Sequence, residues 1–191
     1  TLPTQGTLML VNTPIAQDQE IAFADIVNLN FAPDANWAST TTCQWNGSDG
    51  TAYAAAAVTI TLTINAVNDI PTLSPIIKSA NEDETITFTA TNFTDVFVDI
   101  DGTLGKIKIV SLPTNGTLKL NGTNITLNQE ISSATIGQIT FVPNLNWSGA
   151  TSFLWNGSDG TAYALADATV GITINAVNDL PTVSNFSLNA T

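Results

Sequence analysis

The sequence predicts an all-β chain of tandem β-sandwich repeats. Two observations carry this expectation. First, residues 2–72 match residues 112–182 without a gap at a constant offset of 110, and more than half the aligned positions are identical. A repeat of that length is the usual size of one sandwich. Second, the apolar residues alternate with polar ones over short β-branched runs, and no segment sustains a helical period.

The repeat organises the elements in order. Leu2-Pro3-Thr4 aligns with Leu112-Pro113-Thr114, and Gly6-Thr7-Leu8 with Gly116-Thr117-Leu118. Trp45 to Ala54 recurs unchanged at Trp155 to Ala164, and Asn65 to Asp69 recurs at Asn175 to Asp179. Residues 183–191 resemble 73–81. The expected organisation is therefore a partial repeat lacking its first strands over 1–70, a complete repeat over 71–180, and the start of a third repeat or a donor strand over 181–191. Strands are expected at Thr85–Thr89, Lys106–Val110, Thr117–Leu120, Thr151–Asn156 and Thr169–Asn175. Asn115-Gly116 and Asn121-Gly122 are turn dipeptides that tolerate positive φ. Ala54–Ala57 has helix-forming composition, but its counterpart Ala164–Asp167 directly precedes a clear strand, so both read as the approach to a strand. Phe31 and Phe141, like Trp45 and Trp155, recur with the repeat and are expected in the core. Cys43 aligns with Phe153 and reads as a small buried hydrophobe.

Composition removes several function classes. The chain has 191 residues, 16 acidic and four basic side chains, no His and one Cys. Without His there is no Ser–His or Cys–His dyad and no His-ligated zinc. Four scattered cations give no footprint for nucleic acid or an anionic membrane. No apolar run approaches the roughly 20 residues needed to span a bilayer, so no membrane insertion is expected. One Cys rules out an internal disulfide. Only 10% of residues are charged, against about 25% ordinarily, so a packed core is expected rather than an acidic disordered chain.

The carboxylates cluster, and strand direction says where. If the complete repeat starts at one end near Pro71, its first strand delivers Glu82 and Asp83 to the other end. The next strand returns and leaves Asp99 and Asp101 at the starting end. The last strand must run away from that end to deliver Asn178-Asp179 at the far end, so its antiparallel partner brings Asp159 to the start. Asn68, Asp69, Asp99, Asp101 and Asp159 are thus expected together, as are Glu82, Asp83, Asn178 and Asp179. Crowded carboxylates repel unless a cation screens them, and Ca²⁺ accepts six to eight oxygens in irregular geometry. The competing reading is that these residues only make Asx turns.

The sequence resembles the cadherin-like tandem repeats of large bacterial surface proteins and RTX-type adhesins. The resemblance rests on Asn81-Glu82-Asp83-Glu84-Thr85, Asp99-x-Asp101-Gly102, Leu112-Pro113-x-x-Gly116-Thr117-Leu118, Phe141-x-Pro143-x-x-Asn146-Trp147-x-Gly149, Ser158-Asp159-Gly160 and Val177-Asn178-Asp179-x-Pro181. It implies an immunoglobulin-like sandwich, end-to-end stacking and calcium at the joints. It also implies that Glu82, Asn68, Asp69, Asp99, Asp101 and Asp159 take the calcium-ligating roles. The first unit lacks its own Asn-Glu-Asp segment, so its ligand set departs from that pattern.

The expected function is a non-enzymatic structural repeat of an extracellular adhesin or cell-surface fibre, stiffened by Ca²⁺. Its expected partners are neighbouring repeats or identical chains arranged end to end. Two alternatives stand beside it. One is a filament subunit assembled by β-strand donation from residues 183–191. The other is a carbohydrate-binding module using Trp37 or Trp147. Asn-x-Ser/Thr sequons at Asn46, Asn92, Asn115, Asn121, Asn124, Asn146, Asn156, Asn185 and Asn189 are possible attachment points for N-glycans.

Overall fold

The computed structural model describes residues 1–187, so the last four residues of the expected third repeat, and the sequon at Asn189, lie outside the described residues. The chain divides into two units, Thr1–Val67 and the residues from Asn68 onward. Unit 1 contains β1 (Gly6–Leu10), β2 (Thr13–Pro14), β3 (Leu29–Pro33), β4 (Thr40–Trp45) and β5 (Val58–Thr63). Unit 2 opens with β6 (Thr72–Leu73), β7 (Ile76–Asn81) and β8 (Ile86–Thr87). A one-turn helix, α1 (Ala90–Thr94), leads to β9 (Phe97–Val98) and β10 (Lys106–Ile109). The unit closes with β11 (Gly116–Leu120), β12 (Thr123–Asn124), β13 (Glu130–Ser132), β14 (Ile139–Pro143), β15 (Gly149–Ser158) and β16 (Ala168–Asn175).

Unit 2 is a sandwich. One sheet has the order β13-β10-β15-β16-β7 and the other β12-β11-β14-β8, with β6 and β9 paired beside them. All pairs are antiparallel except β16 with β7, which run in parallel from Val170↔Ile76 to Asn175↔Asn81. Period two explains the layers. Val170, Ile172 and Ile174 of β16 face inward and are buried, while Thr169 and Thr173 face out. Ile107 and Ile109 of β10, with Phe153 and Trp155 of β15, extend the same inner face, and Leu118, Ile139 and Phe141 oppose it. The aromatic residues meet edge-on: Phe93 and Trp155 are 5.0 Å apart at 88°, and Phe88 and Phe153 are 6.0 Å apart at 81°. Edge-to-face geometry satisfies the ring quadrupoles better than a sandwich stack.

Two repeated motifs acquire a physical reason. A Cβ on Gly116 would fall 2.3 Å from Phe141 Cζ and 2.8 Å from the Val142 carbonyl, so the Gly-Thr-Leu motif exists because Phe141 lies across it. In the β11–β12 hairpin Asn121 and Gly122 have φ of 48° and 79°, as a two-residue turn of type I′ requires. The counterparts in unit 1, Val11 and Asn12, adopt φ of 48° and 63°. A β-branched residue in that region is strained.

The structure corrects three expectations. The strand expected over Thr85–Thr89 is only Ile86–Thr87, and the chain then turns into α1. The Thr89 N–H donates to Asn92 Oδ1 (3.0 Å), which holds the turn, and Phe93 enters the core against Trp155. Five helical residues are too few to leave a period in the sequence. Short 3₁₀ turns at Phe23–Asn28 and Ile136–Gln138 escaped notice for the same reason. Finally, Trp45 is 51% exposed whereas Trp155 is fully buried, and Phe31 is only half-buried. In unit 2 Ile76 of β7, Phe88, Phe93 and Ile107 and Ile109 of β10 share a core cluster with Trp155, and the described residues of unit 1 include no counterparts of them. Cys43 is buried, as its alignment with Phe153 predicts.

Candidate metal centre

The cluster at the start of unit 2 follows from strand register. β6 and β9 pair antiparallel, with Thr72 opposite Val98 and Leu73 opposite Phe97. Continuing that register by three residues brings Asp69 opposite Asp101. The Asp69 N–H donates to both Asp101 carboxylate oxygens, at 3.2 and 3.3 Å. β10 and β15 pair with Lys106 opposite Ser158, and the Gly105 N–H donates to the Ser158 carbonyl at 2.8 Å. That register brings Asp159 to the same loop. Asn68 closes the ring, its Nδ2 donating to Asp159 Oδ2 at 2.8 Å. The Asp101 N–H donates to Asp99 Oδ1 at 3.3 Å.

Asn68, Asp69, Asp99, Asp101 and Asp159 are therefore brought together as strand direction predicts. The glycine of the Asp99-x-Asp101-Gly102 motif makes this possible. A Cβ on Gly102 would sit 2.7 Å from Asp99 Oδ2 and 2.9 Å from Asp159 Cβ, so only glycine lets these two aspartates approach across the loop. The signal was present as Asp-x-Asp-Gly, but its glycine reads equally well as an ordinary turn residue.

Electrostatics leave this cluster unbalanced. The only ion pair among the described residues is Lys106–Glu130 at 2.7 Å, and it belongs to another surface. Asp99 Oδ2 is buried without a hydrogen-bond donor. Asp159 behaves differently. The Ala162 N–H and Asn68 hold its carboxyl below the usual carboxylate value against a smaller opposing effect of burial, and the Thr161 N–H adds a lesser lowering. Its Oδ1 accepts from the Thr161 and Ala162 N–H groups at 2.6 and 2.7 Å. Asp49, its counterpart in unit 1, accepts from Thr51 and Ala52 in the same way. The Asx-turn reading is thus correct for one oxygen of Asp159, while the other turns toward Asn68.

The far end of unit 2 is assembled more loosely. The parallel register of β7 and β16 puts Glu82 next to the chain leaving β16. Its N–H donates to the Asn175 carbonyl (2.9 Å), and its Oε1 accepts from the Val177 N–H (2.5 Å). Asp83, with φ of 66°, instead accepts from the Asn146 N–H at 2.9 Å. Asn178 donates to the carbonyl of Asp179. Glu82 thus lies at the opposite end of the sheet from Asn68, Asp69, Asp99, Asp101 and Asp159, and cannot share an ion with them inside unit 2. Among the described residues, no three acidic side chains stand close enough to enclose a metal as they are arranged.

Other candidate groups take structural roles. Trp147 is half-buried and packs against the core. Asn156 is buried and donates to the Ala164 carbonyl and Asp167 Oδ1, so its sequon is not available to a glycan in the folded unit. Asn115, Asn121, Asn124 and Asn146 are exposed. Both tyrosines read as core residues in the sequence, but Tyr53 is exposed and Tyr163 only half-buried; Tyr163 donates to Glu130 Oε1 at 2.7 Å, with Lys108 Nζ 4.5 Å from its ring centroid.

Comparison with known proteins gives one family. A cadherin-like domain model matches residues 67–175. Curated proteins yield no match. The endo-fucoidan hydrolase MfFcnA4 of glycoside hydrolase family 107 is 19% identical with a TM-score of 0.39, over 78% of this chain and 20% of that one. The fibronectin(III)-like modules of Clostridium thermocellum CbhA are 13% identical with a TM-score of 0.27, over 92% of this chain and 80% of theirs. The chain thus spans about a fifth of the hydrolase it matches. Cadherin-like domains are typically extracellular, of the adhesion type, and usually bind calcium. No helix among the described residues is long and apolar enough to cross a membrane. The match spans more than half of the sequence, and its sandwich and repeat motifs agree with it: the chain belongs to the cadherin-like domain family.

Proposed function

We propose that this chain is a non-enzymatic structural repeat of an extracellular adhesin or surface fibre, and that Ca²⁺ bound at the start of unit 2 stiffens it. The observation that carries this reading is the carboxylate cluster itself. Asp69, Asp99, Asp101 and Asp159 are linked through backbone and amide donors, no lysine among the described residues pairs with them, and Asp99 Oδ2 is buried without a donor. The donor set is all oxygen, and hard, flexible oxygen sites suit Ca²⁺ better than Mg²⁺. Asp99, Asp101 and Asp159 would hold the ion with Asn68 and Asp69. When bound, the ion supplies the positive charge that the cluster lacks.

The consequence is mechanical. Asn68-Asp69 directly follows Val67, the last residue of unit 1. Its present anchors are hydrogen bonds through Asn68 Nδ2 and the Asp69 N–H. Those bonds are exposed and individually weak, roughly 0.5–1.5 kcal/mol each. An ion shared by Asp99, Asp101, Asp159 and this segment would fasten the segment to the sandwich.

Melting calorimetry with calcium and with chelator tests the reading. At a free calcium concentration of about 100 times Kd, binding stabilises by about 2.7 kcal/mol. For a domain of this size that raises the midpoint by roughly 8–15 °C. An unchanged midpoint at millimolar calcium contradicts it.

A further inference from the structure

We infer that Asn156 and Asp167 are positioning residues: they clamp the loop between β15 and β16 to the outer face of the sheet, and so preform the turn that presents Asp159. The clamp stands on the geometry of unit 2, whereas its value for Ca²⁺ rests on the function proposed above.

The loop runs over residues 159–167. Its first half is the Asx turn, in which Asp159 Oδ1 accepts from the Thr161 and Ala162 N–H groups and Oδ2 is left to face Asn68 at 2.8 Å. Apolar burial does little to hold the second half. Leu165 is 88% exposed, and the buried side chain there, Ala164, is a single methyl. Polar bonds fix it instead. The Ala164 N–H donates to the Gly157 carbonyl at 3.0 Å, and Asn156 Nδ2 donates to the Ala164 carbonyl at 3.1 Å and to Asp167 Oδ1 at 2.7 Å. Both hydrogens of that amide are thereby used. Asn156 stands opposite Lys108 on the outward side of β15, yet it is only 7% exposed because the loop lies over it. A buried donor without an acceptor is costly, and an ionised acceptor makes the stronger bond, so Asn156 and the loop hold each other.

The repeat isolates the part played by Asp167. In unit 1 the Asx turn of Asp49 recurs, Asn46 Nδ2 donates to the Ala54 carbonyl at 3.0 Å, and the Ala54 N–H donates to the Gly47 carbonyl at 2.9 Å. The counterpart of Asp167 is Ala57. Asp167 is thus the member of the clamp that unit 2 has and unit 1 lacks.

Amide hydrogen exchange of the 191-residue chain in excess chelator tests the clamp. In Asp167→Ala the Thr161 and Ala162 amides should exchange about tenfold faster than in the parent chain, equivalent to about 1.4 kcal/mol of local opening. In Asp167→Asn, whose Oδ1 still accepts from Asn156, they should stay within about twofold of the parent. Unchanged exchange in β11 and β14, in the other sheet, reports that each variant is folded. Calcium titration of the same chains should show the dissociation constant rising about tenfold in Asp167→Ala and staying near the parent value in Asp167→Asn. Parent-like exchange in Asp167→Ala, or equal acceleration in both variants, overturns the inference, the second because charge rather than the bond would then be at work. A loop that opens in Asp167→Ala without weakening calcium binding overturns the positioning role. A parent chain that binds no calcium, with the exchange results as expected, defeats the calcium reading and leaves the clamp standing.

Discussion

Trp155 and Trp45 are the same residue of the repeat in two environments, which makes them an internal control for the packing argument. Trp155 is fully buried and meets Phe93 edge-on at 5.0 Å. Trp45 is 51% exposed. Truncating a buried Trp to Ala costs roughly 3–5 kcal/mol, because the transfer energy is lost and a cavity remains. At the half-exposed site no closed cavity forms, and half of a burial energy of about 1.5–3 kcal/mol leaves about 1 kcal/mol. For a domain of this size these figures translate to falls in the unit 2 midpoint of roughly 10–25 °C for Trp155→Ala. Trp45→Ala should leave that transition in place and lower any separate unit 1 transition by only a few degrees. Differential scanning calorimetry of both variants in the same buffer reads this directly. Equal shifts, or a larger shift for Trp45→Ala, would refute the packing argument.

Three further outcomes follow from named contacts. Thr151 is buried, its Oγ1 donating to the Thr114 carbonyl (2.8 Å) and accepting from the Thr114 N–H (3.1 Å). Thr151→Val should lower urea-unfolding stability by roughly 1–3 kcal/mol by leaving those backbone groups without a partner. Replacing Val11-Asn12 by Asn-Gly, the pair found at 121–122, should stabilise unit 1 by about 1–2 kcal/mol, since Val11 no longer sits at positive φ. The Asp159 carboxyl is held below its ordinary value in the folded unit, chiefly by the Ala162 N–H and Asn68. Its contribution is therefore complete above the unfolded carboxylate pKa of about 3.9 and is lost as pH falls through the lower folded value. Urea midpoints measured in chelator from about pH 6 down to about pH 3 should fall less steeply for Asp159→Asn than for the parent chain.

Much of unit 2 was legible because two signals are local. Period two fixed the inner residues of β10, β11, β15 and β16, and the offset of 110 doubled each observation. Strand direction then placed Asp99, Asp101 and Asp159 with Asn68-Asp69, since alternating antiparallel strands leave little freedom over which end a loop occupies. Helix α1 was not legible, because a single turn leaves no period in the sequence. The split between Glu82 and Asp83 was also hidden: Glu82 meets Val177 while Asp83, at positive φ, turns to Asn146. Adjacent residues point to opposite faces of a strand, but in a turn their directions depend on backbone angles that sequence specifies poorly. The exposure of Trp45 depends on which segments cover it, so identity at Trp45 and Trp155 carried no information about burial.

Isothermal titration of Ca²⁺ into the 191-residue chain tests the central claim most directly, with Asp99→Asn and Asp159→Asn as paired variants. The account predicts saturable binding to the intact chain and at least tenfold weaker binding for either variant. No binding heat up to several millimolar calcium, or unchanged affinity in both variants, would contradict it.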